Sequence, residues 1–507
     1  MGNGKRKPLP ITDRQLPITN RHQMKLQPRA RVQGEWVRKF LKWVNLRPEE
    51  GERTLLMFAF YTATSVGLLW FEHSTVALFL DKYGASWLPA IYIASALMVS
   101  GLGVLYSWLQ SILPMRSVLL VIALLAALPL LLFRVGIELP YLDGFIALAT
   151  VFLLRLWMDA VEVLNDLNSQ VAANQLFNIR EIKRTYPIIS SGLLVADVPS
   201  GFSLPFLLLL VGLNNVIVIA AIMMLIGAGT LFYLSQRYNQ AFPDSPMRQW
   251  EDDQAEFAVR RASGSLRRYI IPLFAFFILA EALYLLVEFQ YLSQLEEKLP
   301  ETSDIAGFLG LFSGIVGLFE LISQWFISSR AIDRLGVFIA AMFLPASLSL
   351  VGLLTLTGFL NFFIGLIDRV IPLPEIITGL FVGLILLRFL DELLRYTLIA
   401  GIEPVLFQPL PERIRNSVQT AVQGIAEPVT TGITGLAILA TIGLLHWAFP
   451  TQSEFTLGQW QNRVFIFVIV LFSGVWLLSA WLLRSSYVNL LVQNAEQGRL
   501  GYSNVDL

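Results

Sequence analysis

The sequence has few reactive and few charged residues for its length. Of its 507 residues none is cysteine, three are histidine and 15% carry charge. The lack of cysteine excludes disulfides, thiolate metal sites and thiol redox chemistry. Three widely spaced histidines also argue against a histidine metal centre. Because roughly 25% of a soluble globular protein is charged, this chain has too little charge to cover a water-facing surface.

The chain is instead rich in long apolar runs. Hydrophobic residues make up 55% of the chain and the mean hydropathy is +0.63. Lys+Arg and Asp+Glu balance at 37 each, so net charge indicates no nucleic-acid partner. The one Gly-Lys pair, Gly4-Lys5, is followed by Arg6, so there is no P-loop. We therefore expect an all-α integral membrane protein in contact with membrane lipids, not an enzyme, with no cofactor and no bound metal.

Twelve stretches are long and apolar enough to cross a bilayer, which needs roughly 20 residues of helix. The fourth and tenth are less apolar because charged residues lie inside them. The predicted spans are about 54–79, 87–108, 117–136, 141–161, 188–213, 215–235, 269–292, 304–327, 336–358, 376–396, 420–447 and 463–483.

The basic residues predict the orientation. With an internal N-terminus, 29 of the 37 Lys and Arg residues lie in inside segments, five in outside segments and three within spans. Positive residues favour the cytoplasmic side of a membrane. We therefore predict that both termini are cytoplasmic.

The segments outside the spans also differ in character. Residues 1–34 are basic and non-periodic, which predicts a disordered tail. Residues 35–47 (EWVRKFLKWVNLR) have one apolar helical face, which predicts either an interfacial helix on the anionic leaflet or a helix packed on the cytoplasmic side of the protein. We expect a polar linker at 236–268 and a cytoplasmic tail at 484–507.

The second half of the chain repeats features of the first. LMFAFY (56–61) matches PLFAFF (272–277), and LFNIREIKR (176–184) parallels LFQPLPERIR (406–415) in the same order. Two six-span halves, 54–235 and 269–483, resemble the major facilitator architecture, in which the substrate site lies between the halves near the midplane. The loop residues Asp333-Arg334-Leu335-Gly336 are similar to the D-R-x-G loop of that family.

A closer resemblance is carried by RFLDELLRYTLIAGIEPVLFQPLPERIR (388–415). This block is similar to the ATP/ADP translocases of plastids and some bacteria, in which an LF-x-P stretch follows the tenth span and precedes a Gly-rich span. Here Leu406-Phe407-Gln408-Pro409 is followed by Gly424, Gly432 and Gly435. The resemblance implies exchange of nucleotides across a bacterial inner membrane or a plastid-type membrane.

Charged residues inside two spans are candidate site residues, because an ionisable group at membrane depth is costly without a partner or a water-filled cavity. Arg155, Asp159, Glu162 and Asp166 are spaced i, i+4, i+7 and i+11, so they share one face of the fourth span. Arginine suits phosphate or carboxylate recognition through its planar fork.

The tenth span repeats this arrangement. Arg388 and Arg395 each have Asp391 and Glu392 within helical reach. Two interpretations stay open. Either an anionic substrate competes with the carboxylates for the arginines, or each arginine is neutralised by its neighbours in a gating or packing network.

Further acidic residues fall at repeat-related positions. Glu72 and Glu288 could carry protons, or they could be hydrated near the outer interface, which we slightly favour. Asp197 and Glu427 each lie close to a proline and are candidate gate residues. Glycines at helical spacing predict close helix packing; they are Gly307, Gly310, Gly314, Gly317, Gly432 and Gly435.

These features predict a monomeric secondary transporter that works by alternating access. The first choice of substrate is ATP, ADP or a related phosphorylated anion, taken by exchange. One alternative is a proton-coupled carrier of another small organic solute, using Glu72, Glu288 or Asp159. A second alternative is a membrane interaction protein that has lost transport and docks through its basic tail and linker.

Overall fold

The computed structural model describes residues 47–139, 144–177, 179–241, 265–369, 372, 374, 377–410, 412–450 and 454–496. Every regular element within these ranges is helical. The predicted tail 1–34 lies outside them, and so does the predicted interfacial helix 35–47 except for Arg47.

Sixteen α-helices follow one another in the described residues. They are α1 (Pro48–Tyr83), α2 (Leu88–Ile112), α3 (Met115–Ile137), α4 (Phe145–Leu176), α5 (Ile179–Val211), α6 (Leu213–Arg237), α7 (Ser265–Lys298), α8 (Thr302–Ser323), α9 (Ser329–Leu335), α10 (Val337–Leu356), α11 (Phe359–Asp368), α12 (Gly379–Leu394), α13 (Ala400–Phe407), α14 (Glu412–Ala421), α15 (Glu427–Ala448) and α16 (Glu454–Glu496).

Three π-helical turns join helices end to end. They connect α8 to α9 (Gln324–Ser328), α12 to α13 (Arg395–Ile399) and α14 to α15 (Val422–Ala426). Such turns insert an extra residue into the helical ladder and are frequent at functional sites. The turn after α12 begins at Arg395, one of the predicted site residues.

Ten helical stretches in the described part of the chain are long and apolar enough to cross a membrane, with window hydropathies of 1.5 to 2.8. The protein is therefore a multi-pass membrane protein. The ten coincide with all the predicted spans except the fourth and the tenth. Those two stretches are helical, as α4 and α12, but their charged residues keep them below the threshold of a purely apolar span.

Several boundaries differ from the sequence-based prediction. Of the predicted linker 236–268, residues 242–264 lie outside the described part, and α7 already begins at Ser265. The predicted tail 484–507 is helical as far as Glu496, because α16 continues past the membrane stretch. The short amphipathic helix α11 was not predicted.

The most extensive contacts between the predicted first and second halves are made by two pairs of helices. α5 packs on α8, and α2 packs on α15. Both contacts depend on glycine, since a Cβ at Gly201 of α5 would overlap the backbone of Gly310 and Gly314 of α8, and a Cβ at Gly435 would lie 2.7 Å from the carbonyl oxygen of Pro89. The predicted packing role of these small residues is confirmed.

Candidate functional site

The arginine of α4 is buried at the centre of the helices. Arg155 is 2% exposed, and its Nη1 lies 2.5 Å from Oδ1 of Asp159, one helical turn further along. The i, i+4 spacing brings the two side chains together on one face. The first pair of the predicted stripe is therefore formed.

Glu288 of α7 connects this pair to other helices. One carboxylate oxygen, Oε1, lies 3.9 Å from Nη2 of Arg155, and the hydroxyl of Tyr92 on α2 donates to Oε2 at 3.3 Å. α2 and α4 belong to the predicted first half and α7 to the second. Glu288 thus joins the two halves through one carboxylate. Glu288 is therefore held by side chains of two other helices, while its position relative to the outer interface and its role stay predictions.

In the second half, the two arginines of the tenth predicted span divide the carboxylates between them. Arg388 pairs with Glu392 at 2.6 Å, and Arg395 pairs with Asp391 at 2.7 Å. Arg395 also donates to the carbonyl oxygen of Ala280 on α7 at 3.1 Å. Each arginine was predicted to face both carboxylates. In the structure each arginine instead pairs with one carboxylate, which lies four residues away, and does not pair with the carboxylate three residues away.

Tyr284 of α7 lies between the two arginines. The guanidinium carbons of Arg388 and Arg395 are 4.7 Å and 5.0 Å from the centre of its ring, and Arg388 also donates to its hydroxyl at 3.3 Å. Contact of a guanidinium with an aromatic face is attractive. Sequence analysis named no role for Tyr284 because the contact joins residues far apart in the chain.

Glu72 of α1 lies within electrostatic range of both arginine clusters. Its carboxyl group interacts electrostatically with both Arg155 and Arg388, and also with Glu288 and Glu392. The placement of Glu72 relative to the outer interface and the roles predicted for these residues stay predictions.

Two guanidinium nitrogens in this cluster have no partner. Nε of Arg155 and Nη1 of Arg388 are buried and make no hydrogen bond within the described residues. Buried N–H donors are nearly always paired in folded proteins. The two unpaired donors come from α4 and α12, one from each predicted half.

An accessible space borders the cluster. Glu162 and Asp166 of α4 lie deep within the protein, yet their side chains are exposed. Tyr396, after α12, is equally deep and 39% exposed. Ionisable side chains at this depth line water rather than lipid. We infer that a polar space lies between α4 and the α12–α13 segment.

This space continues toward the end of α4 that is predicted to be cytoplasmic. Gln170 and Asn174 extend the exposed face of Glu162 and Asp166 toward that end. The opposite end is closed by contacts between the halves, where the backbone N–H of Ala85 donates to Oε2 of Glu296 at 2.6 Å. The glycine contacts of α5 with α8 and of α2 with α15 lie toward the same closed end.

The remaining predicted gate residues are placed in different clusters. Asp197 accepts a hydrogen bond from Ser313 of α8 at 3.3 Å. Glu427 interacts electrostatically with Arg395 and Glu281. Arg334 is exposed at the end of α9, and the side chain of Asp333 lies outside the described part of the structure.

A separate apolar cavity of about 540 Å³ lies behind α7, between α15 and α16. Its lining includes Leu286, Val429, Ile433 and Phe472, with no charged residue. Among the described residues no group of three or more His, Cys, Asp or Glu is arranged to hold a metal ion. The arginine–carboxylate cluster is therefore the better candidate for recognition of a charged solute.

The fold is similar to that of several solved membrane transporters. The nucleoside transporter NupG is 12% identical with a TM-score of 0.52, covering 86% of this chain and 99% of that one. A peptide transporter POT in complex with sulfate is 12% identical with a TM-score of 0.55 (86% and 94%). A bacterial homologue of the iron transporter ferroportin in an inward-facing state is 14% identical with a TM-score of 0.54 (87% and 98%).

The chain therefore has the same fold as these transporters, with apolar helices packed around a buried arginine–carboxylate cluster. The chain belongs to the TLC ATP/ADP transporter family, whose sequence profile matches residues 148–487, about two thirds of its length. The resemblance inferred from residues 388–415 is confirmed. No curated protein sequence matches the chain.

Proposed function

We propose that the protein exchanges nucleotides or related phosphorylated anions across its membrane by alternating access. The observation that carries this proposal is the pair of buried, unpartnered guanidinium nitrogens on Arg155 and Arg388. A phosphate group accepts charge-assisted hydrogen bonds from arginine in well-defined geometry. Membership of a family described as ATP/ADP transporters supports a nucleotide as the anion.

The proposal requires α4 and α12 to cross the membrane, which gives twelve spans in two six-span halves. Two features support this. In the predicted order, α5 and α15 are the fifth spans of their halves, and α2 and α8 are the second spans. The contact of α5 with α8 in one direction therefore corresponds by the repeat to the contact of α15 with α2 in the other. These are the two largest contacts between the halves. In addition, α4 and α12 carry matching arginine–carboxylate pairs.

Without substrate, neighbouring carboxylates neutralise the two arginines. In this structure Asp159 and Glu288 hold Arg155, and Glu392 holds Arg388. An entering phosphate competes for the same N–H groups, and the released carboxylates lose their partners. Because Glu288 contacts both Arg155 and Tyr92, its release weakens a connection across the closed end. Substrate binding thereby favours the state that is open on the other side of the membrane, because a ligand shifts the equilibrium toward the conformation that binds it more tightly.

The conformation described here corresponds to a state open to the cytoplasm. The exposed residues of α4 lead from the arginine cluster to the predicted inner side, whereas the Ala85–Glu296 hydrogen bond closes the predicted outer side. A nucleotide from the cytoplasm would therefore reach Arg155 and Arg388 through this space.

The test is counterflow exchange of labelled ADP in proteoliposomes preloaded with unlabelled ADP. We expect Arg155→Ala and Arg388→Ala to abolish exchange. Arg463→Ala is the matched control, since Arg463 is exposed and contacts Trp460 at the outer end; its exchange should equal that of the wild type. Full exchange by both site variants would remove the two arginines from the mechanism.

A further inference from the structure

Glu320 is a buried acidic residue that forms no ion pair within the described residues. It lies on α8, is 2% exposed, and its Oε1 makes no hydrogen bond within the described residues. The internal repeat of the sequence gives Glu320 no clear counterpart in the first half. The structure supplies a neighbour from that half, because Glu320 interacts electrostatically with Asp197 on α5.

The groups that face this pair are acidic or neutral. Glu320 faces Asp197, Glu392 of α12 and the hydroxyl of Tyr396. Asp197 faces Glu392, Glu320 and Glu72 of α1, and Ser313 donates to it at 3.3 Å. No lysine or arginine is among these neighbours in the described part of the chain. Glu72 and Glu392, by contrast, each interact with an arginine.

The two carboxyl groups also lie at a tight helix contact. A Cβ at Gly317, one turn before Glu320 on α8, would be 2.5 Å from Cβ of Asp197. α5 and α8 form the larger of the two contacts between the predicted halves, so no bulky cation-bearing side chain can enter here. Asp197 is half-buried, and water can therefore reach the pair from its side.

An ionised carboxylate needs a cation or several hydrogen bonds when it leaves water. Glu320 has an unpaired oxygen and a second carboxyl group beside it, and both features oppose a negative charge. A proton on Glu320 removes its negative charge. The protonated carboxyl group can then donate a hydrogen bond to Asp197, whose negative charge would otherwise repel it.

We propose that Glu320, with Asp197 beside it, is a proton-binding site at the contact between α5 and α8. The carboxylate oxygen of Glu320 takes a proton from a hydronium ion that enters from the polar space, forming an O–H bond and leaving water. Because the site lies where the two halves must move against each other, occupancy by a proton couples their motion to the proton gradient. The site is separate from Arg155 and Arg388, although Glu392, the partner of Arg388, faces both of its carboxyl groups.

Infrared spectroscopy of the purified protein at neutral pH tests the site without any transport assay. The difference spectrum between wild-type protein and Glu320→Gln should contain the carbonyl stretching band of one protonated carboxyl group. Glu301→Gln is the control, since Glu301 is exposed at the start of the same helix. The amide of glutamine resembles the protonated acid in size and charge, so Glu320→Gln should fold normally.

Asp197→Asn supplies a second measurement. It removes the neighbouring carboxyl group, so the Glu320 band should remain but change in frequency. A difference spectrum without this band would overturn the proposal, as would a band that Asp197→Asn leaves unchanged. Failure here would leave the exchange experiment with the arginine variants unaffected.

Discussion

Arg155 of α4 and Glu288 of α7 lie 3.9 Å apart and join two parts of the chain that sequence analysis assigned to different halves. The same glutamate accepts a hydrogen bond from Tyr92. An anion that draws Arg155 away would weaken this connection. Under the proposed function, this one interaction would relate anion recognition to the contact between the predicted halves.

Removal of the competing carboxylate should strengthen anion binding. In Glu392→Gln, Arg388 loses the partner that holds its Nε at 2.6 Å, so its N–H groups become free for substrate. We expect ADP to bind about tenfold more tightly, which corresponds to roughly 1.4 kcal/mol. Equilibrium binding of labelled ADP measures this, with Glu301→Gln as the surface control. Weaker binding by Glu392→Gln would mean that Glu392 assists binding instead of competing.

Arg395 should matter for folding stability rather than for substrate. Its partner Asp391 is 0% exposed, and Arg395 also donates to the carbonyl of Ala280. Arg395→Ala leaves a buried carboxylate unpaired, which costs about 3–5 kcal/mol. We expect a clearly lower thermal unfolding midpoint in detergent.

The double variant Arg395→Ala/Asp391→Asn distinguishes this explanation from simple loss of packing. Since it removes the unpaired charge, it should recover part of the lost stability. Equal midpoints for the single and double variants would contradict the ion-pair explanation.

The α5–α8 contact should tolerate no side chain at Gly201. A Cβ there would overlap the backbone of Gly310 and Gly314, which cannot move like a flexible side chain. We expect Gly201→Ala to lower the free energy of unfolding by about 1–3 kcal/mol, as overpacking does. Gly229→Ala on α6 is the matched control, because no atom lies within 4 Å of its added Cβ. Equal stability of the two variants would contradict the close contact.

Much of the fold could be predicted from local sequence, because apolar runs and helical spacing are local properties. Arg155 with Asp159, and Arg388 with Glu392, are one turn apart, so their pairing follows from helix geometry. The charges that made the fourth and tenth stretches less apolar turned out to mark the candidate site.

Contacts between distant residues could not be read in the same way. The position of Tyr284 between two arginines depends on how α7 packs against α12, and the meeting of Glu320 with Asp197 depends on how α8 packs against α5. The π-helical turn at Arg395 also has no clear sequence signal.

Direct binding of labelled ADP to purified protein tests most closely whether Arg155 and Arg388 hold a phosphorylated anion. Each arginine contributes hydrogen bonds to a charged group, so Arg155→Ala and Arg388→Ala should each weaken binding roughly 10-fold to 100-fold, while Arg463→Ala should bind like the wild type. Because one anion contacts both groups, the double variant should lose less than the sum of the two single losses. Undiminished ADP binding by the double variant would contradict the account.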